Sequence, residues 1–272
     1  MNREILDQVI EISVAAGKEI LDVYENDFEV EIKGDGSPLT MADQRAHQVI
    51  VKGLESLTPE IPVLSEESSS KVMEMRQDWA RFWLVDPLDG TKEFVKRNGE
   101  FTVNIALIDG RTPVMGVVHT PVKSVTHAGH VGQGAFKIDS NGERFAIAGR
   151  KFDANNAVMV ASRSHAGEAV QRFHQRLEKV TENLEIASMG SSLKICMVAE
   201  GTADVYPRLG PTSEWDTAAA HAVLKAAGGQ IFDLQGESLR YNKQNILNPW
   251  FVAVADDQVN WLEFAEGLSP ES

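Results

Sequence analysis

The stretch WLVDPLDGTKEF, residues 83–94, is the strongest constraint in the chain. It closes an apolar run, RFWLVD (81–86), that reads as a strand, and it places two acids, Asp86 and Asp89, on either side of Pro87 and Leu88. The proline fixes the backbone between the acids, and Gly90 permits a tight turn into Thr91. Two carboxylates held this closely repel unless a proton or a cation lies between them. With no His or Cys cluster nearby, oxygen donors alone, among them the carbonyl of Leu88, suit a hard cation such as Mg²⁺. If KEFV (92–95) is helical, its free N–H groups offer an anion a cradle. The pattern therefore points to a metal held where a phosphate can land.

The pattern on either side of this segment changes along the chain. Residues 4–25 place Ile5, Val9, Ile12, Ala16, Ile20 and Val23 on one face of a helix. FEVEIK (28–33) alternates as a strand does, and GDGSPLT (34–40) reads as a turn-rich loop. A second helix is expected over Ala42–Leu57, and a short strand over 61–67 ends in acids. TVNIALIDG and PVMGVVHTP (102–121) read as two strands joined near Gly110, followed by SVTHAGHV and GAFKID. Beyond about residue 150, strands and helices alternate. AVMVAS, NLEIAS, ADVYPR, IFDL and WFVAVA are strands; His165–Val180, SSLKICMVAEG, WDTAAAHAVLKAAGG and the C-terminal residues are helices, the third ended by a glycine pair. The fold class expected is α+β followed by α/β, over residues 1–150 and 151–272, with the join near 145–155. The serine-rich SEESSSK (65–71) is expected to be a flexible surface loop.

Composition narrows the functional classes. A chain of 272 residues with 43% hydrophobic and 24% charged residues is long enough for a sizeable core and ordinary for a globular protein. No apolar run reaches the length of a membrane span, and MNREILDQVIEIS lacks the layout of a secretory signal. The single cysteine, Cys196, excludes an internal disulfide and fits a reducing compartment, so a cytoplasmic location is expected. The net charge of −14 should repel nucleic acid and anionic membranes. It would repel a phosphorylated substrate as well, unless metal ions or a local basic cluster invert the field at the site.

Four acidic groups sit at expected element ends: Asp35 in GDGSPLT, Glu66 with Glu67 in VLSEES, Asp86 with Asp89, and Asp216 in SEWDTAAA. Taken singly, most have an ordinary structural explanation. Asp35 suits a turn, Glu66 and Glu67 a solvated strand end, and Asp216 a helix cap. DPLDGT resists such an explanation.

In this order and spacing, IKGDGSPLTMAD, VLSEES, WLVDPLDGTKEF and EWDTAAAHAVL resemble the inositol monophosphatase superfamily of Mg²⁺-dependent, lithium-sensitive phosphatases, over nearly the whole chain. The resemblance implies a layered αβαβα sandwich holding two or three Mg²⁺ ions. It implies metal ligands Glu66, Asp86, the Leu88 carbonyl, Asp89 and Asp216, a catalytic base Asp35 with its hydroxyl partner Thr91, and phosphate contacts from Glu66, Leu88, Asp89, Gly90, Thr91 and Asp216. The first part of the chain would then carry most metal ligands and the catalytic pair, and the second part the substrate contacts and Asp216.

The second part bears on which phosphate ester is cleaved. SRSH (162–165), GSSLK (190–194) and YPRLGP (206–211) resemble the 3′(2′),5′-bisphosphate nucleotidase branch of that superfamily, as does GEFTVNIALI (99–108). By that likeness His165, Ser191, Lys194 and Arg208 contact the nucleotide. Each of these also has a bland explanation, as a surface histidine, a helix cap or a solvated lysine. Arg208 stands where inositol phosphatases carry a glutamate, and a guanidinium suits a second phosphate better than a neutral polyol. One departure is Ala220, where bacterial members of this branch often have glycine. The expected substrate is adenosine 3′,5′-bisphosphate, cleaved to AMP and phosphate, with 3′-phosphoadenosine 5′-phosphosulfate as a further candidate. The alternatives are an inositol phosphate or fructose bisphosphate phosphatase of the same superfamily, or an idle Mg²⁺- or nucleotide-binding module. A monomer and a homodimer are both compatible with the sequence, and the resemblance leaves peripheral attachment to the inner membrane open.

Overall fold

The computed structural model describes residues 3–25, 30–32, 38–162 and 167–269. Two amphipathic helices, α1 (Arg3–Glu25) and α2 (Met41–Leu57), pack against each other. They bury Leu6, Val9, Ala16, Ile20 and Val23 from α1, and Ala42, Ala46, Ile50 and Leu54 from α2. Spacings of three and four residues bring these side chains onto one stripe of each helix. Between the helices, β1 (Val30–Ile32) and β2 (Pro38–Thr40) pair antiparallel. Asp35 lies outside the described residues.

A seven-stranded sheet follows, running in order from β3 (Val63–Ser65) through β4 (Arg81–Asp89), β5 (Thr102–Asp109), β6 (Thr112–Thr120), β7 (Val125–His130) and β8 (Gly134–Ile138) to β9 (Arg144–Ile147). β3 is parallel to β4, and every other neighbour is antiparallel. β4 shows why its sequence is an unbroken apolar run. Trp83 and Val85 join the core under α1 and α2, whereas Phe82 and Leu84 join the core on the opposite face. A strand covered on both sides has no polar side to alternate with.

A second, five-stranded sheet has the order β11 (Leu184–Met189), β10 (Ala157–Ser162), β12 (Val205–Arg208), β14 (Phe251–Val254), β13 (Gln230–Asp233). β10 is parallel to both its neighbours, and β14 is antiparallel to β12 and β13. Between the two sheets lie α6 (Leu193–Ala199) and α7 (Glu214–Ala226), in one core with Leu84, Ala106 and Val118 of the first sheet and Val160, Tyr206 and Phe251 of the second. The outermost layer is α5 (Glu168–Glu178) with a 3₁₀ turn at Trp261–Ala265, packed on Met159, Val205, Val252 and Val254. The layers are therefore α, β, α, β, α.

The alanine-rich sequence of α7 follows from its place between two sheets. Ala218, Ala219, Ala220 and Ala222 are buried, and Gly116 and Gly129 in the facing strands let the helix approach. A Cβ on Gly116 would come within 2.1 Å of the Ala219 carbonyl oxygen, so only glycine fits at that crossing. Ala220 adds a methyl inside this close-packed layer and is accommodated, fully buried.

Three expectations need correction. SEESSSK is not a loop throughout, because Ser70–Met75 form a short helix, α3. DPLD is not a turn following the strand but its last residues, carried by a bulge. The C-terminal helix is a 3₁₀ turn of five residues instead of an α-helix. Among the described residues no helix is long and apolar enough to cross a membrane.

Candidate active site

The bulge in β4 explains how Asp86 and Asp89 come together. Asp86 stands opposite Asn104 and Asp89 opposite Thr102, so three steps along β4 match two along β5. Side chains alternate faces in a regular strand, and residues three apart would point opposite ways. One extra residue in the bulge returns Asp89 to the face of Asp86. Pro87, which has no N–H to give a ladder, occupies the irregular part. Directly after, Gly90 adopts φ 94°, where a side chain would be strained, and opens α4 (Thr91–Val95) with Thr91 as its first residue.

Glu66 follows β3, and its N–H donates to the Val85 carbonyl at 3.0 Å, beside the end of β4. Asp216 is the third residue of α7. Its Oδ2 accepts the Ser213 N–H at 2.9 Å in a capping box, so it caps the helix from inside the first turn.

The acids act on one another. Asp86 is buried, and its carboxyl is held well above the usual range by that burial and then by the charges of Glu66, Asp89, Asp216 and Asp43. Burial, then Asp89, pushes Asp216 up to about 8, against the Ser213 hydrogen bond and the charge of Arg208. Asp89 is raised by burial but partly restored by Lys194, the Ser192 N–H and Asn104. Burial raises Asp86, Asp89 and Asp216, neighbouring carboxylates add to it at Asp86 and Asp216, and together with Glu66 they form a donor set that a hard cation would relieve. Among the described residues, no three His, Cys, Asp or Glu side chains stand close enough together to hold an ion as they are. The fit is thus one of donor chemistry and charge, and taking up an ion would draw these carboxylates together.

Residues 190–194 close the site from the second half of the chain. Gly190 sits tightly against Glu93 and Glu100, and its N–H donates to Glu100 Oε2 at 2.8 Å. Ser191 takes a left-handed φ of 47°. The Ser192 N–H donates to Asp89 Oδ2 at 2.6 Å, across from one half of the chain to the other. Lys194 is not a solvated side chain. It is buried, donates to the Ser191 carbonyl at 2.5 Å, lies 5.6 Å from the Tyr206 ring centre, and is lowered to about 8 by burial.

Asp89, Gly90, Ser191, Lys194, Arg208 and Asp216 line a cavity of about 140 Å³. A second hollow of about 260 Å³ shares Lys92, Ser162, Tyr206 and Arg208 with it and adds the apolar walls of Val170, Pro207 and Leu209. Arg208 Nη2 donates to the Pro211 carbonyl at 2.8 Å, while its Nε and the Ser191 hydroxyl are buried with no hydrogen-bond partner among the described residues. Arg163 and His165 lie outside the described residues.

Several groups at the site went unnoticed in the sequence. Asn104 donates to Asp89, Thr102 meets the Ser192 hydroxyl, Glu100 accepts the Gly190 N–H, and Tyr206 underlies Lys194. A signal existed for two of them, since Thr102 and Asn104 are polar residues in the buried part of a strand whose other polar member, Asp109, is its exposed last residue.

Known proteins share this fold and much of this sequence. A model of the inositol monophosphatase family matches residues 1–259. The chain is 50% identical to the 3′(2′),5′-bisphosphate nucleotidase CysQ of Escherichia coli K12, over 91% of this chain and 98% of that one. It is 41% identical to the same-named protein of Buchnera aphidicola, over 93% and 94%. Among solved structures, CysQ from Bacteroides thetaiotaomicron, a bacterial member of the inositol monophosphatase family, superposes with a TM-score of 0.84 at 42% identity, covering 93% of this chain and 97% of that one.

Proposed function

The chain belongs to the inositol monophosphatase family, and from that premise we propose that it is a Mg²⁺-dependent phosphatase that removes the 3′-phosphate of adenosine 3′,5′-bisphosphate. The products are AMP and phosphate, and the same recognition extends to 3′-phosphoadenosine 5′-phosphosulfate, which places the enzyme in sulfur and nucleotide metabolism. The observation that carries the reading is one cavity lined by Asp89 and Asp216 together with Lys194 and Arg208. An acidic floor alone would repel a bisphosphate, and a basic wall alone would have no use for buried acids.

In this reading Glu66, Asp86, the Leu88 carbonyl, Asp89 and Asp216 hold the cations. Bound Mg²⁺ supplies Lewis-acid stabilisation of charge on the transferring phosphoryl group. The chain's own part is positioning. N–H groups around Gly90 and Thr91 receive the phosphoryl oxygens. The Thr91 hydroxyl orients the attacking water and passes its proton toward Asp35. Ser191, Lys194 and Arg208, with His165, take the nucleotide and its second phosphate. The Ser191 hydroxyl and Arg208 Nε, buried without partners among the described residues, support that role. The hollow walled by Val170, Pro207 and Leu209, continuous with Arg208, supports a place for the base. A division at residue 150 belongs to the same proposal, supported by a first sheet ending at Ile147 and a second beginning at Ala157.

Phosphate release from adenosine 3′,5′-bisphosphate and from inositol 1-phosphate, side by side with and without Mg²⁺, tests this. The expected result is Mg²⁺-dependent turnover with strong preference for the nucleotide and inhibition by Li⁺. Equal or better turnover of inositol 1-phosphate would overturn the substrate assignment, and full turnover after chelation would overturn the metal.

A further inference from the structure

One chain of hydrogen bonds behind Asp89 can be assigned proton by proton. Ser192 Oγ lies 2.8 Å from Asn104 Oδ1, a carbonyl oxygen that only accepts, so the Ser192 hydroxyl donates there. That hydroxyl has one proton, so in its 3.0 Å contact with Thr102 Oγ1 it accepts and Thr102 donates. Thr102 then has no proton left for Asp89, 3.5 Å away. Asn104, its oxygen fixed by Ser192, turns its amide nitrogen to Asp89 Oδ2 at 3.3 Å. The opposite amide orientation would set a carbonyl oxygen against a carboxylate. Asp89 Oδ2 thus receives two N–H donors, from Asn104 Nδ2 and from the Ser192 backbone at 2.6 Å. Thr102, Asn104 and Ser192 are all buried, so water does not take over these contacts.

We propose that Ser192 is a positioning residue for the divalent-cation site: through its N–H and, by way of Asn104, its hydroxyl, it occupies Asp89 Oδ2 and leaves Oδ1 as the oxygen offered to the cation. This rests on the reading of Asp89 as a metal ligand. It also ties the two halves of the site together. Ser191 directly precedes Ser192 and Lys194 follows two residues later; both line the substrate cavity, and Lys194 donates to the Ser191 carbonyl, so the segment that meets the substrate also aims the carboxylate. Partners that orient a ligating carboxylate typically carry tenfold to a hundredfold in metal affinity.

The test is Mn²⁺ titration of the metal-stripped full-length protein without nucleotide, with free Mn²⁺ read by electron paramagnetic resonance. Thermal unfolding of the metal-free protein serves as the control for the fold. Ser192→Ala removes the hydroxyl and keeps the N–H, and is expected to weaken binding by about tenfold. Thr102→Val removes a donor that, by the proton assignment, does not reach Asp89, and is expected to change the dissociation constant by less than about threefold, because Ser192 still orients Asn104. If Ser192→Ala binds Mn²⁺ as tightly as the unaltered protein, or if Thr102→Val is the more damaging change at equal thermal stability, the relay is overturned. If the unaltered protein binds no Mn²⁺, the reading of Asp89 as a ligand fails, and this inference falls with it.

Discussion

Glu214 and Asp216 stand two residues apart at the start of α7, and the surroundings of their carboxylates differ completely. Glu214 is fully buried and satisfied. Its oxygens accept the backbone N–H groups of Asn242 at 2.7 Å and Lys243 at 2.9 Å, and the Lys243 ammonium at 2.6 Å. Asp204 is treated alike, gripped through both oxygens by Arg150 and by the Val158 N–H. Asp216 is pushed up to about 8 by burial and by Asp89, and Asp86 is surrounded by four acids. One kind of carboxylate is matched by its own protein. The other is gathered with its like, at a cost that makes sense only if something outside the chain completes it. Burial alone does not separate structural from functional acids; the partners do.

The sharpest test removes one acid of each kind. Asp89→Asn should lower phosphate release in Mg²⁺ by about a thousandfold or more. The melting temperature should change little, because a charge leaves a repelling cluster while Lys194 and the Ser192 N–H lose an anionic partner. Activity within tenfold of normal would end the functional side of the comparison. Glu214→Gln should do the reverse, costing about 3 kcal/mol of stability by leaving Lys243 and two N–H groups partly unmatched. The enzyme that remains folded at 25 °C should turn over nearly normally. Denaturant unfolding with a steady-state assay on the same samples measures both.

The comparison also carries a pH signature. The folded value of Asp216, about 8, lies above its ordinary 3.8. Its contribution to stability is therefore fully present below about pH 4 and drains away as pH rises toward 8, because the unfolded chain ionises first. Metal-free protein should accordingly lose on the order of 2 kcal/mol from this cluster between pH 5 and 8, and Mg²⁺ at pH 8 should restore it. Asp216→Asn should flatten the profile. A metal-free protein whose stability climbs between pH 5 and 8, equally in both forms, would contradict the assignment.

What could be read from the sequence divides along the same line. DPLDGT, the helices at either end of the acid cluster and the order of the strands follow from local pattern, because burial on both faces of β4 and one face of α1 leaves its mark within a few residues. Strand β9 was missed because Arg144–Ile147 is a four-residue edge strand, mostly exposed and too short to show an alternating pattern. The bulge that aligns Asp86 with Asp89 was read as a turn, since proline and glycine mark both. The support behind the site was beyond reach for another reason. Glu100 meets Gly190, and Ser192 meets Asn104, only across 90 and 88 residues of chain. Lys194 was expected at the nucleotide by resemblance alone, because nothing within its helix shows that Tyr206 and two sheets enclose it. Asp35 and His165 carry part of the proposal and lie outside the described residues.

Arg208 tests the basic side of the cavity. Its guanidinium is tied at one nitrogen to the Pro211 carbonyl, and its charge acts on Asp216. Arg208→Glu should lower kcat/KM for adenosine 3′,5′-bisphosphate by about tenfold or more, the scale of one charge-assisted contact. Turnover of inositol 1-phosphate should be spared or improved. Equal losses on both substrates would make Arg208 a general support of the site instead of the group that selects a second phosphate.

The smallest effect is expected where a charge pair has neither burial nor a cluster around it. Arg172 and Glu168 face each other across one turn of α5 at 2.6 Å, a closer approach than Lys151 and Asp256 make at 2.9 Å. Their side chains are 47% and 71% exposed, so water and salt screen the pair, and holding two long side chains together costs entropy. Arg172→Ala should therefore change stability by only about 0.3 kcal/mol, and less at high salt. The same distance in the Glu214–Lys243 pair is expected to matter about ten times more, because Glu214 has no water to fall back on. If denaturant unfolding gave Arg172→Ala and Glu214→Gln similar losses, proximity would be deciding the energy instead of desolvation. The contrast between matched and unmatched buried acids would then lose its physical basis.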